Sequence, residues 1–139
     1  MFAIVAIVLA MMPLLAQAET VPGPFKARYV SCYDGDTCRF DLHVWLGLTM
    51  HTSVRLRGVD TPEIAGACDV EKKIAVAARD FMRAKLVLAS SVWVLNVEDD
   101  KFGGRVLADL MIDGRSAATL LIDAGLARPY DGGIRQSWC

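Results

Sequence analysis

The chain has 139 residues, with 15 Lys and Arg against 16 Asp and Glu, for a formal net charge of −1. That length serves one domain and is too short for two. The near-neutral balance excludes a strongly basic nucleic-acid-binding chain, and leaves the local arrangement of charge to set the field in any cleft.

Residues 2–15, FAIVAIVLAMMPLL, are almost wholly apolar, and Ala16-Gln17-Ala18 follows. An apolar run closed by a small-x-small site reads as a cleaved secretory signal over residues 1–18. The run is about 14 residues long, short of the ~20 that cross a bilayer as a helix, so an uncleaved membrane anchor is the lesser alternative. Every charged side chain lies after Ala18. The expected organisation is a signal over 1–18, an extended leader over 19–25 and one folded domain over 26–139. Export places the protein in the periplasm or the medium. There four cysteines can pair, in any of three connectivities.

Strands are predicted over 26–33 and 36–45, joined by Asp34-Gly35 as a hairpin turn. Residues 46–52 read as a connection. A third strand over 53–59 places Arg55, Arg57 and Val59 on one face, because side chains alternate along a strand. Pro62 cannot continue a ladder, so the strand ends there and leaves Asp60, Thr61 and Glu63 at a rim. Asp69 is the predicted N-cap of a helix over 70–88. Val70, Ile74, Ala77, Phe81 and Leu88 follow its period, and Lys72, Lys73, Arg79 and Arg83 face water. Strands over 91–97 and 105–112 flank an acidic, glycine-rich loop. A short helix covers 115–124, with Gly125 at its C′ position. The tail, 126–139, has no clear period.

Asp36 and Asp60 are the candidate metal ligands. Two carboxylates from separate strand ends, with the backbone carbonyl of Thr61, form the all-oxygen set that Ca2+ takes, and leave room for water and a phosphate. No His/Cys cluster has zinc spacing. Glu63 is the candidate general base or water-positioning acid. Arg55 and Arg105 offer planar guanidiniums that match two phosphoryl oxygens. Each fragment by itself also reads as an ordinary turn, a solvated loop acid or a strand-face cation. His43 and His51 read as surface or structural residues, and Trp45, Trp93 and Trp138 as packing. A Cys68–Cys139 bridge would pin the tail across a loop of about 70 residues. Cys32 and Cys38, symmetric about Gly35, either pair across the hairpin or stay as small buried hydrophobes.

Three pieces in this order carry a resemblance: Asp34-Gly35-Asp36-Thr37, Arg55…Val59-Asp60-Thr61-Pro62-Glu63, and Asp100-Lys101-Phe102-Gly103-Gly104-Arg105. With Val70-Glu71-Lys72 and Gly125-Leu126-Ala127, they make the stretch from about Lys26 to Tyr130 similar to the staphylococcal nuclease (thermonuclease) family. The resemblance implies a mainly β, α+β fold, a five-stranded OB-fold barrel with flanking helices. It implies Ca2+-dependent hydrolysis of phosphodiester bonds in DNA and RNA, preferably single-stranded. The products carry 3′-phosphate and 5′-hydroxyl ends, and the enzyme is a monomer with no stable protein partner. By position, Asp36, Asp60 and the Thr61 carbonyl hold Ca2+, and Glu63 acts as base or orients water. Arg55 and Arg105 stabilise the transition state, while Lys101 and Tyr130 touch nucleic acid.

The chain departs from the family pattern in a longer link from Asp36 to Arg55, in one extra glycine before Arg105, and in Phe102, which replaces a tyrosine that helps hold a terminal phosphate. Phe102 and the neutral charge support an alternative expectation, a catalytically weak OB-fold nucleic-acid-binding module at the cell envelope. A disulfide-tied structural domain is a third.

Overall fold

The computed structural model describes residues 17–139, so the expected signal lies almost entirely outside the described residues. In chain order the strands are β1 (Thr20–Val21), β2 (Phe25–Cys32), β3 (Thr37–Trp45), β4 (Leu48–Leu56), β5 (Val59–Asp60), β6 (Val92–Asp99), β7 (Val106–Ile112), β8 (Arg115–Ser116) and β9 (Arg128–Pro129). Helix α1 (Asp69–Val87) lies between β5 and β6, and α2 (Ala117–Asp123) follows β8.

The main sheet runs β1-β6-β2-β3-β4-β7-β8, and β6 also pairs with β7. That extra pairing closes β2, β3, β4, β7 and β6 into a barrel of five strands. Every pairing around the ring is antiparallel except the parallel β4–β7 contact. This is the expected α+β OB-type barrel, with no free edge within the ring to recruit another strand.

The interior follows the strand period. Cys38, Phe40 and Leu42 point inward from β3, and Ala108, Leu110 and Ile112 from β7. Val54, Leu56, Val94 and Met82 of α1 complete the centre, each at most 1% exposed. Burying side chains of this size contributes about 1.5–3 kcal/mol each, before conformational entropy is set against it.

Four local expectations give way. First, residues 48–52 are not a connection: β4 starts at Leu48 and the turn is the short Leu46-Gly47 link, with Gly47 at φ +70°. Leu46, Leu48 and Met50 are more than half exposed, so burial does not drive this segment. Main-chain pairing with β3 extends the ribbon to its tip instead. His51, expected as a surface or structural residue, is exposed, and it and Arg28 both bond the buried Asp41 of β3.

Second, the strand expected over 53–59 stops at Leu56. Gly58 takes φ +83° and turns the chain, and Val59-Asp60 pairs with β9 instead. The shared face of Arg55, Arg57 and Val59 is thereby broken. Arg57 donates to Asp109 and to the Asn96 carbonyl. Third, Asp34-Gly35 is not a two-residue hairpin turn. The Cys32–Cys38 register pair closes a wider loop. Within it Asp34 Oδ1 accepts from the Asp36 and Thr37 amides, at 3.1 and 2.9 Å. An Asx-type turn replaces the ladder there.

Fourth, α1 is rotated from its apolar stripe. Its buried residues are Glu71, Ala75, Ala78, Met82 and Leu86, while Val70 and Leu88 are 58% and 82% exposed. Glu71 turns inward and accepts from the Glu63 amide at 3.2 Å and the Ala67 amide at 2.8 Å. Buried amides require partners, and meeting that requirement outranks burial of Val70. Asp69 is the first helical residue, behind a Cys68 N-cap that makes no side-chain capping bond. Arg79 and Arg83 do not simply face water. Arg79 is half-buried, and Arg83 donates to the Cys32 carbonyl at 2.9 Å. The second helix is also shorter than expected, because Arg115-Ser116 pairs with β7 before Ser116 caps α2. Gly125, at φ +71°, ends that element as predicted.

Candidate active site

The site forms where the β2–β3 turn meets the β4–β5 turn. Asp36 stands just before β3, and Asp60 closes β5. Each is only 4% exposed. Asp36 is fixed through both oxygens: Oδ1 accepts from the Thr37 hydroxyl at 3.0 Å, and Oδ2 from the Thr61 amide at 3.0 Å. The Asp36 carbonyl accepts from the Leu56 amide at 2.8 Å, tying one turn to the other. Gly35 makes the close approach possible. A Cβ there would lie 2.7 Å from Ala78 Cβ and 2.9 Å from Thr61 Cγ2.

Arg55 lies between the two acids. Its Nη1 donates at 2.9 Å to both the Leu56 and the Val59 carbonyls, so the turn that follows β4 holds the guanidinium rigid. It is 3.5 Å from Asp36 Oδ2, and Nη2 is 4.0 Å from Asp60 Oδ1. With only 13% of its side chain exposed, it is a preorganised charge and not a solvated one. Behind this group, burial pushes the Asp34 carboxyl up to about 7, helped by the neighbouring Asp36 charge and the hydrogen bond between the two acids. Crowding of carboxylates in a dry place favours any cation that neutralises them.

A cleft of about 800 Å3 opens in front of this group. Asp36, Arg55 and Glu63 line one side. The Glu63 backbone is anchored by Glu71, which leaves its carboxylate facing the cleft. Lys101, Phe102 and Arg105 of the β6–β7 loop also line the cleft. Arg105 bonds Asp100 through Nε and stands 5.0 Å from the Phe102 ring centre, while Lys101 Nζ stands 5.4 Å from the same ring. Tyr130 also lines the cleft, its amide bonded to the Gly58 carbonyl at 2.9 Å and its hydroxyl to the Gly133 carbonyl at 2.7 Å. The fold thus gathers Asp36, Arg55, Asp60, Thr61 and Glu63 into one cluster. Lys101, Arg105 and Tyr130 share the cleft with it, without direct contact to the two acids.

Asp60 and Thr61 lie behind Arg135, a residue the sequence reading did not single out. Arg135 Nε donates to Asp60 Oδ1 at 2.8 Å, Nη2 to the Thr61 carbonyl at 3.3 Å, and Nη1 pairs with Glu63 Oε1 at 2.8 Å. Trp138, expected as packing, donates from Nε1 to Asp60 Oδ2 at 3.2 Å, with Arg128 stacked 3.7 Å from its ring centre. Glu71, the third missed residue, was visible only as part of a recurring fragment. The signal for Arg135 and Trp138 was the Cys68–Cys139 pairing, which brings residues 135–139 beside the Glu63 loop. That disulfide is present, spanning 71 residues with Cα atoms 6.0 Å apart. Cys32 and Cys38 are also bonded, at a Cα separation of 4.0 Å.

The donor set fits a hard divalent ion in its chemistry. Two buried carboxylates and a peptide carbonyl present oxygen alone, a set that suits hard cations such as Ca2+ and Mg2+ better than zinc, whose typical ligands are His and Cys. The hydroxyl of Thr61 is buried with no hydrogen-bond partner among the described residues, while its carbonyl accepts from Arg135.

A family model described as staphylococcal nuclease homologue matches residues 53–137, from within β4 to Ser137 and so including Arg135. Asp36 and its turn precede the matched stretch. No curated protein matches the chain. The barrel, the acid–guanidinium cluster and a match over more than half of the chain agree. The chain belongs to the staphylococcal nuclease homologue family, and is a nuclease-like or nucleic-acid-binding module.

Proposed function

We propose that this protein is an exported, Ca2+-dependent nuclease that hydrolyses phosphodiester bonds of DNA and RNA, preferably single-stranded, to 3′-phosphate and 5′-hydroxyl ends. One observation carries the reading. Two buried carboxylates flank a rigid guanidinium at 3.5 and 4.0 Å, beside a cleft that also holds Glu63 and Arg105.

Asp36, Asp60 and the Thr61 carbonyl would hold Ca2+, which when bound would supply Lewis-acid polarisation of a phosphoryl oxygen. Glu63 accepts a proton from the attacking water as the water oxygen bonds to phosphorus, and the 5′ oxygen leaves with the bonding pair and takes up a proton from solvent. Arg55 sets fixed positive charge against the phosphoryl oxygens without reorganising, because its own turn already holds it. Arg105 supplies a second guanidinium to the same oxygens on leaving Asp100. Lys101 and Tyr130 contact the flanking backbone and base. Five acidic and five basic side chains line the cleft, so long-range attraction is weak and local placement sets substrate binding.

The balanced cleft and Phe102, which cannot hydrogen-bond a phosphate, favour a second reading, a catalytically weak nucleic-acid-binding module. The two separate in one assay, with the purified domain mixed with single-stranded DNA in Ca2+ and in chelator. Cleavage only in Ca2+, with 3′-phosphate ends, is expected. Cleavage that survives chelation contradicts the metal role, and binding without cleavage in either tube establishes the second reading. Export by cleavage after Ala18, and a monomeric state, complete the proposal. Mass measurement of the exported chain, expected to begin at Glu19, tests the first of these.

A further inference from the structure

Arg135 makes a contact that the nuclease reading does not require. Its guanidinium bonds Asp60 Oδ1, the Thr61 carbonyl and Glu63 Oε1 together. Two of these three oxygens belong to the proposed cation ligands, and the third to the proposed base. The remaining Asp60 oxygen receives the Trp138 indole N–H. Asp60 therefore has both oxygens committed to residues of one short segment.

That segment is held in place from several directions. Arg128 Nη1 donates to the Ser137 carbonyl at 2.9 Å, and its guanidinium stacks on Trp138. The Tyr130 amide bonds Gly58. The Cys68–Cys139 disulfide fastens the segment beside Glu71, the residue that anchors the Glu63 loop. Held at such a short tether, a guanidinium meets the acids at a high effective concentration, and need not win them by intrinsic affinity.

We infer that Arg135 is a built-in competitor for the divalent-cation site, seated by the disulfide-anchored segment 135–139, and that cation binding requires its withdrawal from Asp60 and Thr61. The inference rests on the metal reading of Asp36, Asp60 and Thr61. A divalent ion on the same Asp60 oxygen and Thr61 carbonyl as the guanidinium would set two positive charges within a few ångströms of each other in a buried place, so the ion and Arg135 compete for them. The apparent affinity for the ion then falls by the fraction of molecules in which Arg135 has withdrawn. If that fraction is about one in ten, removing the guanidinium tightens binding on the order of tenfold.

The test is calorimetric titration with Ca2+ alone, on the oxidised protein and on Arg135→Gln. Arg57→Gln serves as control, because Arg57 lines the same cleft but touches neither Asp60 nor Thr61. Arg135→Gln is expected to bind Ca2+ on the order of tenfold more tightly, with Arg57→Gln changed much less. Nitrogen-15 NMR of the parent gives a second readout. The Arg135 Nε–H is expected to be protected in chelator and to lose that protection as Ca2+ is added.

Equal affinities in the parent and Arg135→Gln overturn the competitor assignment and leave the metal site standing. Weaker binding by Arg135→Gln also overturns it, and makes Arg135 a support of the ligands. Uptake by none of the three proteins overturns the metal reading itself, and the competitor with it.

Discussion

Replacing both Cys68 and Cys139 by Ser removes a cross-link that spans 71 residues, and its cost follows from that span. In the chain-entropy model, freeing a loop of this size in the unfolded state costs about 4 kcal/mol near room temperature. Against the 5–15 kcal/mol that domains of this size have in total, that is a large share. A folded domain of about 120 residues unfolds with an entropy near 250 cal/mol/K, so the melting temperature should fall by about 16 °C. The urea m-value should rise as well, because the freed chain exposes more surface on unfolding. Both changes are measured in the double variant, where Cys32–Cys38 remains bonded and no thiol is left to mispair. Arg135 and Trp138 also bond Asp60 directly, so the segment keeps other anchors in the folded state and the loss is expected chiefly in the unfolded ensemble. A fall of less than about 4 °C, with mass spectrometry confirming the bond in the parent, would refute the reasoning.

Three further outcomes are expected. Glu63→Gln and Arg105→Ala should each lower kcat by roughly 10²–10³-fold without changing the melt; full activity in either removes that residue from the chemistry. Asp34, pushed up to about 7 by burial and by Asp36, holds its proton in the folded state well above the ordinary aspartate value of 3.8. Between those pH values the folded state binds more protons than the unfolded one, so stability of the metal-free protein should fall as pH rises towards 7. Asp34→Asn keeps an acceptor for the Asp36 and Thr37 amides and should flatten that slope; equal slopes in chelator for both proteins would show that Asp34 does not set it. Gly35→Ala drives a methyl to within 2.7 Å of Ala78 Cβ and 2.9 Å of Thr61 Cγ2. It should destabilise the fold by about 1–3 kcal/mol and displace Asp36, and a melt identical to the parent's would show that the turn yields freely.

The residues of the candidate site were legible in the chain because their signals are local. Pro62 cannot continue a ladder, and β5 does end at Asp60 just before it, but Asp60 and Thr61 are buried there and only Glu63 is partly open. Asp34-Gly35-Asp36 had to turn, and the export expected from the N-terminal sequence makes the four cysteines candidate bridges. The barrel was implied by the family resemblance, and the closed ring of β2, β3, β4, β7 and β6 agrees with it.

Only the tertiary structure decided the rest, since the deciding partner in each case comes from elsewhere in the fold. Helix α1 buries Glu71 instead of Val70 because the loop before it presents two amides that need an acceptor. Apolar periodicity cannot register that need. Residues 48–52 become strand through pairing with β3, and Val59-Asp60 through pairing with β9, neither of which has a composition of its own to announce it. Arg135 reaches Asp60 across 75 residues of chain, and in the sequence it is one basic residue in an aperiodic tail. A charge becomes a functional group through what it stands beside, and folding alone places those two side chains together.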